Sequence, residues 1–251
     1  MLISNAFDAL WLNTSLSFKR FHQPLLQCLS QRASVAQWDY HQTQDEASSL
    51  DVPVQLLQDY LQSRDRPVHL IGHSTGGLVG LLYARQYPER VKSLTLLAIG
   101  AQASLDWLAH YYFHLGFLTC GRYHALAQMV PDLFGEQTLT DTRRLVKLLL
   151  HDLATSPSPH SLLQTVSLSQ AGVSVPLLVC GAEDDVIVDS HELKGWYPWL
   201  KQGDRLWQTP QGQHFFHCIH PQAVSEPILD FWQSVPEVTS ALHNQPSVIC
   251  S

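Results

Sequence analysis

The chain has 251 residues, 45% hydrophobic, 10% aromatic and only 15% charged, with a net charge of −7 when histidines are neutral. This composition excludes disordered, collagen-like and coiled-coil chains. The acidic balance and the lack of any Lys/Arg run exclude a phosphate-backbone binder, so nucleic acid is not an expected partner.

The N-terminus, MLISNAFDALWLNT, has no basic region, no long apolar run and no small-residue cleavage site. No stretch approaches the roughly 18 uninterrupted apolar residues of a membrane span. Secretion and membrane spanning are therefore both disfavoured. Cys28, Cys120, Cys180, Cys218 and Cys250 form an odd set without C-x-x-C spacing, as expected of free thiols in a reducing compartment. The expected location is cytoplasmic.

In chain order, short β-branched or apolar runs alternate with amphipathic segments. A strand at Phe7–Leu12 precedes a helix at Lys19–Leu29, and a strand at Ser34–Trp38 precedes a helix at Val52–Gln62. Next come a strand at Val68–Gly72, a helix at Thr75–Gln86 and a strand at Ser93–Ile99. After a break follow a strand at Val175–Cys180, a helix at Glu192–Leu200, a strand at Arg205–Gln208 and a helix at Gln222–Gln233. The pattern predicts an α/β fold, a mostly parallel six-stranded open sheet with helices on both faces. Residues 1–100 and 175–235 form its core, 101–174 a helical lid insertion, and 236–251 a loosely held tail.

The insertion begins ASLDWLAHYYFHLGFL, which clusters Trp107, Tyr111, Tyr112, Phe113 and Phe117. Farther on, Leu145, Leu148, Leu149 and Asp152 recur at helical spacing. These aromatics either pack the insertion onto the body or line a pocket for an apolar acyl or aromatic group. Trp107, Tyr111 and Phe117, with His73, are the candidate substrate-binding residues.

The strongest motif is Gly72-His73-Ser74-Thr75-Gly76, where a buried apolar strand runs into glycines and then into a helix bearing Leu78, Leu81 and Leu82. This is the context of a nucleophile elbow, whose glycines permit a strained turn that lifts a serine hydroxyl above the sheet edge. The helix start aims backbone N–H groups at the reacting centre. Ser74 is the candidate nucleophile.

A serine is a weak nucleophile and needs a base and an orienting acid, here in the chain order Ser, acid, His. Gly212-Gln213-His214 lies between the last strand and the last helix, where a loop imidazole can reach over the serine. His217 and His220 read as polar or packing residues at the start of that helix. Their spacing with His214 makes no recognisable metal motif, and His110 and His114 lack a third ligand, so no metal and no cofactor are expected. For the acid, Gly181-Ala182-Glu183-Asp184 places Asp184 after the strand end; Asp185 is its main rival.

These motifs, in this order and at these strand ends, resemble the α/β-hydrolase superfamily, in its branch of small bacterial lid-bearing serine hydrolases. The likeness is strong over residues 68–100 and 175–224 and weak in the insertion. It implies strand order 2-1-3-4-5-6. The sequence departs from the family after the first strand, where a His-Gly pair is replaced by Asn13-Thr14-Ser15. The oxyanion donors implied are then the Thr75 N–H, the Ser15 N–H and the Asn13 side-chain amide.

Together these readings predict a carboxylic ester hydrolase that cleaves a small to medium apolar ester or thioester through an acyl-enzyme on Ser74, His214 and Asp184. The alternatives are a binding or scaffold protein that kept the elbow but lost catalysis, and an acyltransferase.

Overall fold

The computed structural model describes residues 7–43, 49–103, 106–117, 121–158, 160 and 168–236, without the Phe117 side chain. The strands are β1 (Ala9–Asn13), β2 (Val35–Asp39), β3 (Val68–His73), β4 (Val91–Leu97), β5 (Leu177–Ala182) and β6 (Arg205–Thr209). They form one sheet in the order β2-β1-β3-β4-β5-β6, and every neighbouring pair is parallel. Continuous apolar runs such as ALWL in β1 and LLVC in β5 belong in its middle, where both faces are covered. Every residue of β1, β3 and β5 is buried, whereas the edge strands β2 and β6 are partly exposed.

Alternation along each strand divides the core between the two sheet faces. Trp11, Ile71, Leu97 and Leu178 share one face with Leu25 and Leu29 of α1 (Lys19–Leu29) and with Ile228 of α9 (Pro221–Ser234). Leu10, Leu12, Leu70 and Leu94 face the other way, with Leu57 of α2 (Asp51–Leu61) and Leu78 and Leu81 of α3 (Thr75–Gln86). Nearly all of α3 is buried, as befits a helix that crosses the middle of the sheet.

Several boundaries differ from the expected ones. Strand β4 ends at Leu97 because Ala98 turns the backbone to φ 54°. Strand β5 starts at Leu177, after Pro176, which has no N–H to give to a ladder. The helix expected at Glu192–Leu200 is instead α7 (Ser190–Lys194) followed by a 3₁₀ turn at Tyr197–Trp199. The Asp189 carboxylate caps α7 by accepting from the His191 and Glu192 N–H groups, and Pro198 interrupts the helical ladder beyond it. Before α9 lies the short helix α8 (Phe216–Ile219), and Pro221 opens α9 at a position where its missing N–H costs nothing.

Between β4 and β5 the described residues hold α4 (Trp107–Phe117), α5 (Arg122–Phe134) and α6 (Leu139–Thr155). Thr138 caps α6 by accepting from the Asp141 N–H at 3.1 Å. Leu145, Leu149 and Asp152 are buried on one face of α6, which packs against the 3₁₀ turn Leu16–Phe18 just after β1.

Asp152 is fully buried, and its Oδ1 accepts from the Ser156 hydroxyl at 2.6 Å. Burial raises its pKa to about 7, partly offset by the hydroxyls of Ser156, Ser15 and Ser17. The unfolded chain ionises this group near its ordinary value of about 3.9, so the folded state holds the extra proton between the two values. Its destabilising contribution therefore grows as pH rises through that window and levels off above the folded value, at about 4 kcal/mol. Asp152→Asn, which keeps the acceptor for Ser156, should raise Tm by several degrees at pH 8, with the gain shrinking towards pH 5. A gain independent of pH in thermal melts would contradict this account.

Candidate active site

At the junction of β3 and α3, Ser74 has φ 50° and ψ −128°, a region that non-glycine residues occupy only under constraint. Its N–H donates to the Leu97 carbonyl at 3.0 Å, and its carbonyl accepts from Leu78 to start α3. The neighbouring glycines allow this close approach. A Cβ on Gly72 would lie 2.5 Å from the Gly77 nitrogen, and one on Gly76 would lie 2.3 Å from the Leu12 carbonyl oxygen. The elbow is thus wedged against the end of β1, and any side chain at either glycine would force backbone apart.

The strand-end loop after β5 supplies the carboxylate that meets His214. Asp185 Oδ2 lies 3.0 Å from His214 Nδ1, and both side chains are wholly buried. Asp185 Oδ1 accepts from the Ile187 and Val188 N–H groups at 2.8 and 3.1 Å, which fixes the carboxylate. A carboxylate only accepts, so His214 carries its proton on Nδ1 and presents Nε2 as a lone pair. His214 Nε2 and Ser74 Oγ are both buried and have no hydrogen-bond partner among the described residues.

Asp184 is the carboxylate expected from the sequence to face His214, and the structure puts Asp185 there. Asp184 instead accepts from the Gly212 and Gln213 N–H groups at 3.2 and 2.9 Å and from the Gln213 side-chain amide at 2.8 Å. Gly212 and Gln213 both have positive φ, so Asp184 braces the tight turn that delivers His214. Successive residues of a turn point in different directions, and counting from Gly181 cannot tell which of two adjacent carboxylates meets the imidazole.

The family model for the alpha/beta hydrolase fold matches residues 49–221, from α2 to the start of α9 and across both the elbow and the histidine loop. The chain belongs to this family. This α/β-hydrolase is 45% identical over 226 residues to an uncharacterized protein of Synechocystis sp. (strain PCC 6803), covering 90% of each chain. It is 44% identical over 231 residues to an uncharacterized protein of Nostoc sp. (strain PCC 7120), covering 92% of each. Among solved structures, the carboxylesterase CesB of Bacillus subtilis superposes with a TM-score of 0.68 at 14% identity, over 91% of this chain and 84% of that one.

In this α/β-hydrolase the remaining expected site residues fall into two groups. Thr75 is buried at the first position of α3, whose leading N–H groups have no partner within the helix. Ser15 follows β1 and precedes the turn packed on α6. Asn13 departs from expectation, because its side-chain amide donates to Asp39 Oδ1 at 3.0 Å and so ties β1 to β2. Thr14 between them is buried beside Gly76, and its hydroxyl has no partner among the described residues.

The expected substrate-binding residues are mostly packing residues. Trp107 and Tyr111 are each 2% exposed in the main core, with Trp107 edge-on to Phe18. The Phe117 side chain lies outside the described residues. The His73 Nε2–H donates to the His214 carbonyl at 2.9 Å. It therefore positions the histidine loop. Around it gather His22 of α1 and His217 of α8, whose Nδ1 and Nε2 lie 2.9 Å apart. These histidines come from distant parts of the chain, so no spacing motif announced them. Burial depresses all three pKa values, that of His22 to about 3, which leaves neutral imidazoles at neutral pH.

Proposed function

We propose that this chain is a serine hydrolase that cleaves an ester or thioester of a small to medium apolar acyl group. The observation that carries this reading is the buried His214–Asp185 pair, whose Nε2, like the hydroxyl of Ser74 on its strained backbone, has no partner among the described residues. Ser74 Oγ attacks the substrate carbonyl while its proton passes to His214 Nε2, and Asp185 stabilises the imidazolium. The Thr75 and Ser15 N–H groups, with the Thr14 hydroxyl, take the oxyanion. His214 then returns the proton to the leaving group, and water repeats the cycle to release the acid.

The α4–α6 insertion acts as a lid in this reading. Phe134 of α5 stacks on Phe215, next to the base, at a centroid distance of 4.6 Å, and the Phe215 N–H donates to the Leu133 carbonyl. A cavity of about 290 Å³ opens beside them, walled by Phe21, Phe134, Leu145, Phe215 and Ile219 together with the polar side chains of Arg20, Gln137, Asp141 and Arg144, and Phe215 is its link to the neighbouring His214. Its size and its aromatic side suit an acyl chain of a few carbons. The fold shared with a carboxylesterase is consistent with ester chemistry. Cys28, Cys180 and Cys218 are free, as befits a cytoplasmic protein, and no helix among the described residues is long and apolar enough to cross a membrane.

Turnover of p-nitrophenyl esters of increasing acyl length tests this reading. The rate should rise from acetate to medium chains and fall for long ones. Indifference to length, or no turnover of any ester by the folded protein, would count against it. Burial of the Ser74 hydroxyl and of His214 also favours a second reading, acyl transfer to an alcohol or amine. An added alcohol would then yield a new ester at the expense of free acid.

A further inference from the structure

Beside the elbow, three imidazoles converge from α1, the end of β3 and α8. His22, His73 and His217 each offer a ring nitrogen within 4.8 Å of the others, and no carboxylate or thiol joins the group among the described residues. We propose that these three histidines form a binding site for one transition-metal ion of the zinc class, which locks the nucleophile and base loops together.

The arrangement of protons supports such a site. His73 Nε2–H is spent on the His214 carbonyl, so its Nδ1 is a lone pair. A ligand histidine that donates its other N–H to a backbone carbonyl is the usual outer support of a bound metal. His22 Nδ1 and His217 Nε2, 2.9 Å apart, are close to the ~3.3 Å that two nitrogens keep around tetrahedral zinc. Without an ion, one of these two nitrogens donates a hydrogen bond to the other; with an ion, both present lone pairs to the metal.

The ligand chemistry selects the metal. Imidazole suits zinc, copper, nickel and iron, whereas magnesium and calcium require oxygen donors. Ligands must be unprotonated, and burial keeps these rings neutral at neutral pH. An ion here would join His73, the residue before Ser74, to His217, three residues after His214, and to α1. Its role is to hold these loops in place, with no part in the acyl chemistry.

The test is a titration of chelator-treated, folded wild type with Co²⁺, followed by its visible d–d absorption, then displacement by Zn²⁺. One equivalent of Co²⁺ should give a low-symmetry spectrum that Zn²⁺ abolishes, and Zn²⁺ should raise Tm. His22→Phe and His217→Phe should each lose the spectrum and the Tm rise. X-ray absorption of zinc-loaded wild type should show imidazole scattering, which tests the site even if a variant fails to fold. No uptake by folded wild type, uptake unchanged in both variants, or a zinc spectrum without imidazole scattering would overturn the proposal.

Discussion

Asp185→Asn is expected to lower kcat for ester hydrolysis by about ten-thousand-fold, the loss typical when the orienting acid of a serine triad is neutralised. The amide would no longer stabilise the imidazolium, and by donating to Nδ1 it would favour the tautomer whose Nε2 carries the proton and cannot act as base. Asp184→Asn should cost less than about tenfold in kcat, because it touches only the turn at Gly212 and Gln213. Its main effect should be a lower Tm, since two backbone N–H groups lose a charged acceptor. If Asp184→Asn were the more damaging change while both variants stayed folded, the assignment of the acid would be wrong.

Ser74→Ala and His214→Ala should each reduce turnover by about a million-fold, and the double variant should be no worse than either alone. The reason is that nucleophile and base act as one unit: without its base the hydroxyl keeps its proton, and without the hydroxyl the base has nothing to activate. Both variants should keep their folded circular dichroism, and Ser74→Ala should relieve none of the backbone strain, because alanine at φ 50° is as constrained as serine. Additive losses would point to two separate functions.

The fold was readable because buried parallel strands write themselves as apolar runs and the elbow glycines have no substitute. The strand order expected from the resemblance matches the observed sheet. Element ends were less readable where single residues decided them, such as Ala98 turning the chain after β4 or Asp189 capping a helix the spacing placed two residues later. At the site, Ser74 and His214 sit where motif context put them, while the choice between Asp184 and Asp185 rested on side-chain direction, which no count of residues carries. Asn13 was read as an oxyanion donor because it follows β1, yet its amide is drawn to Asp39 at the end of the neighbouring strand. The His22–His73–His217 group escaped notice because tertiary packing alone assembles it. The described aromatics Trp107 and Tyr111 pack the insertion onto the body, and the aromatic side of the cavity is made instead by Phe21 of α1, Phe134 of α5 and Phe215 of the histidine loop.

The most direct test of the central claim is labelling of folded wild-type protein with a fluorophosphonate probe, followed by peptide mapping of the adduct. Such a probe reacts with a serine already activated by its base. The account predicts a single adduct, on Ser74. Folded protein that stays unlabelled, or an adduct on any other residue, would contradict it.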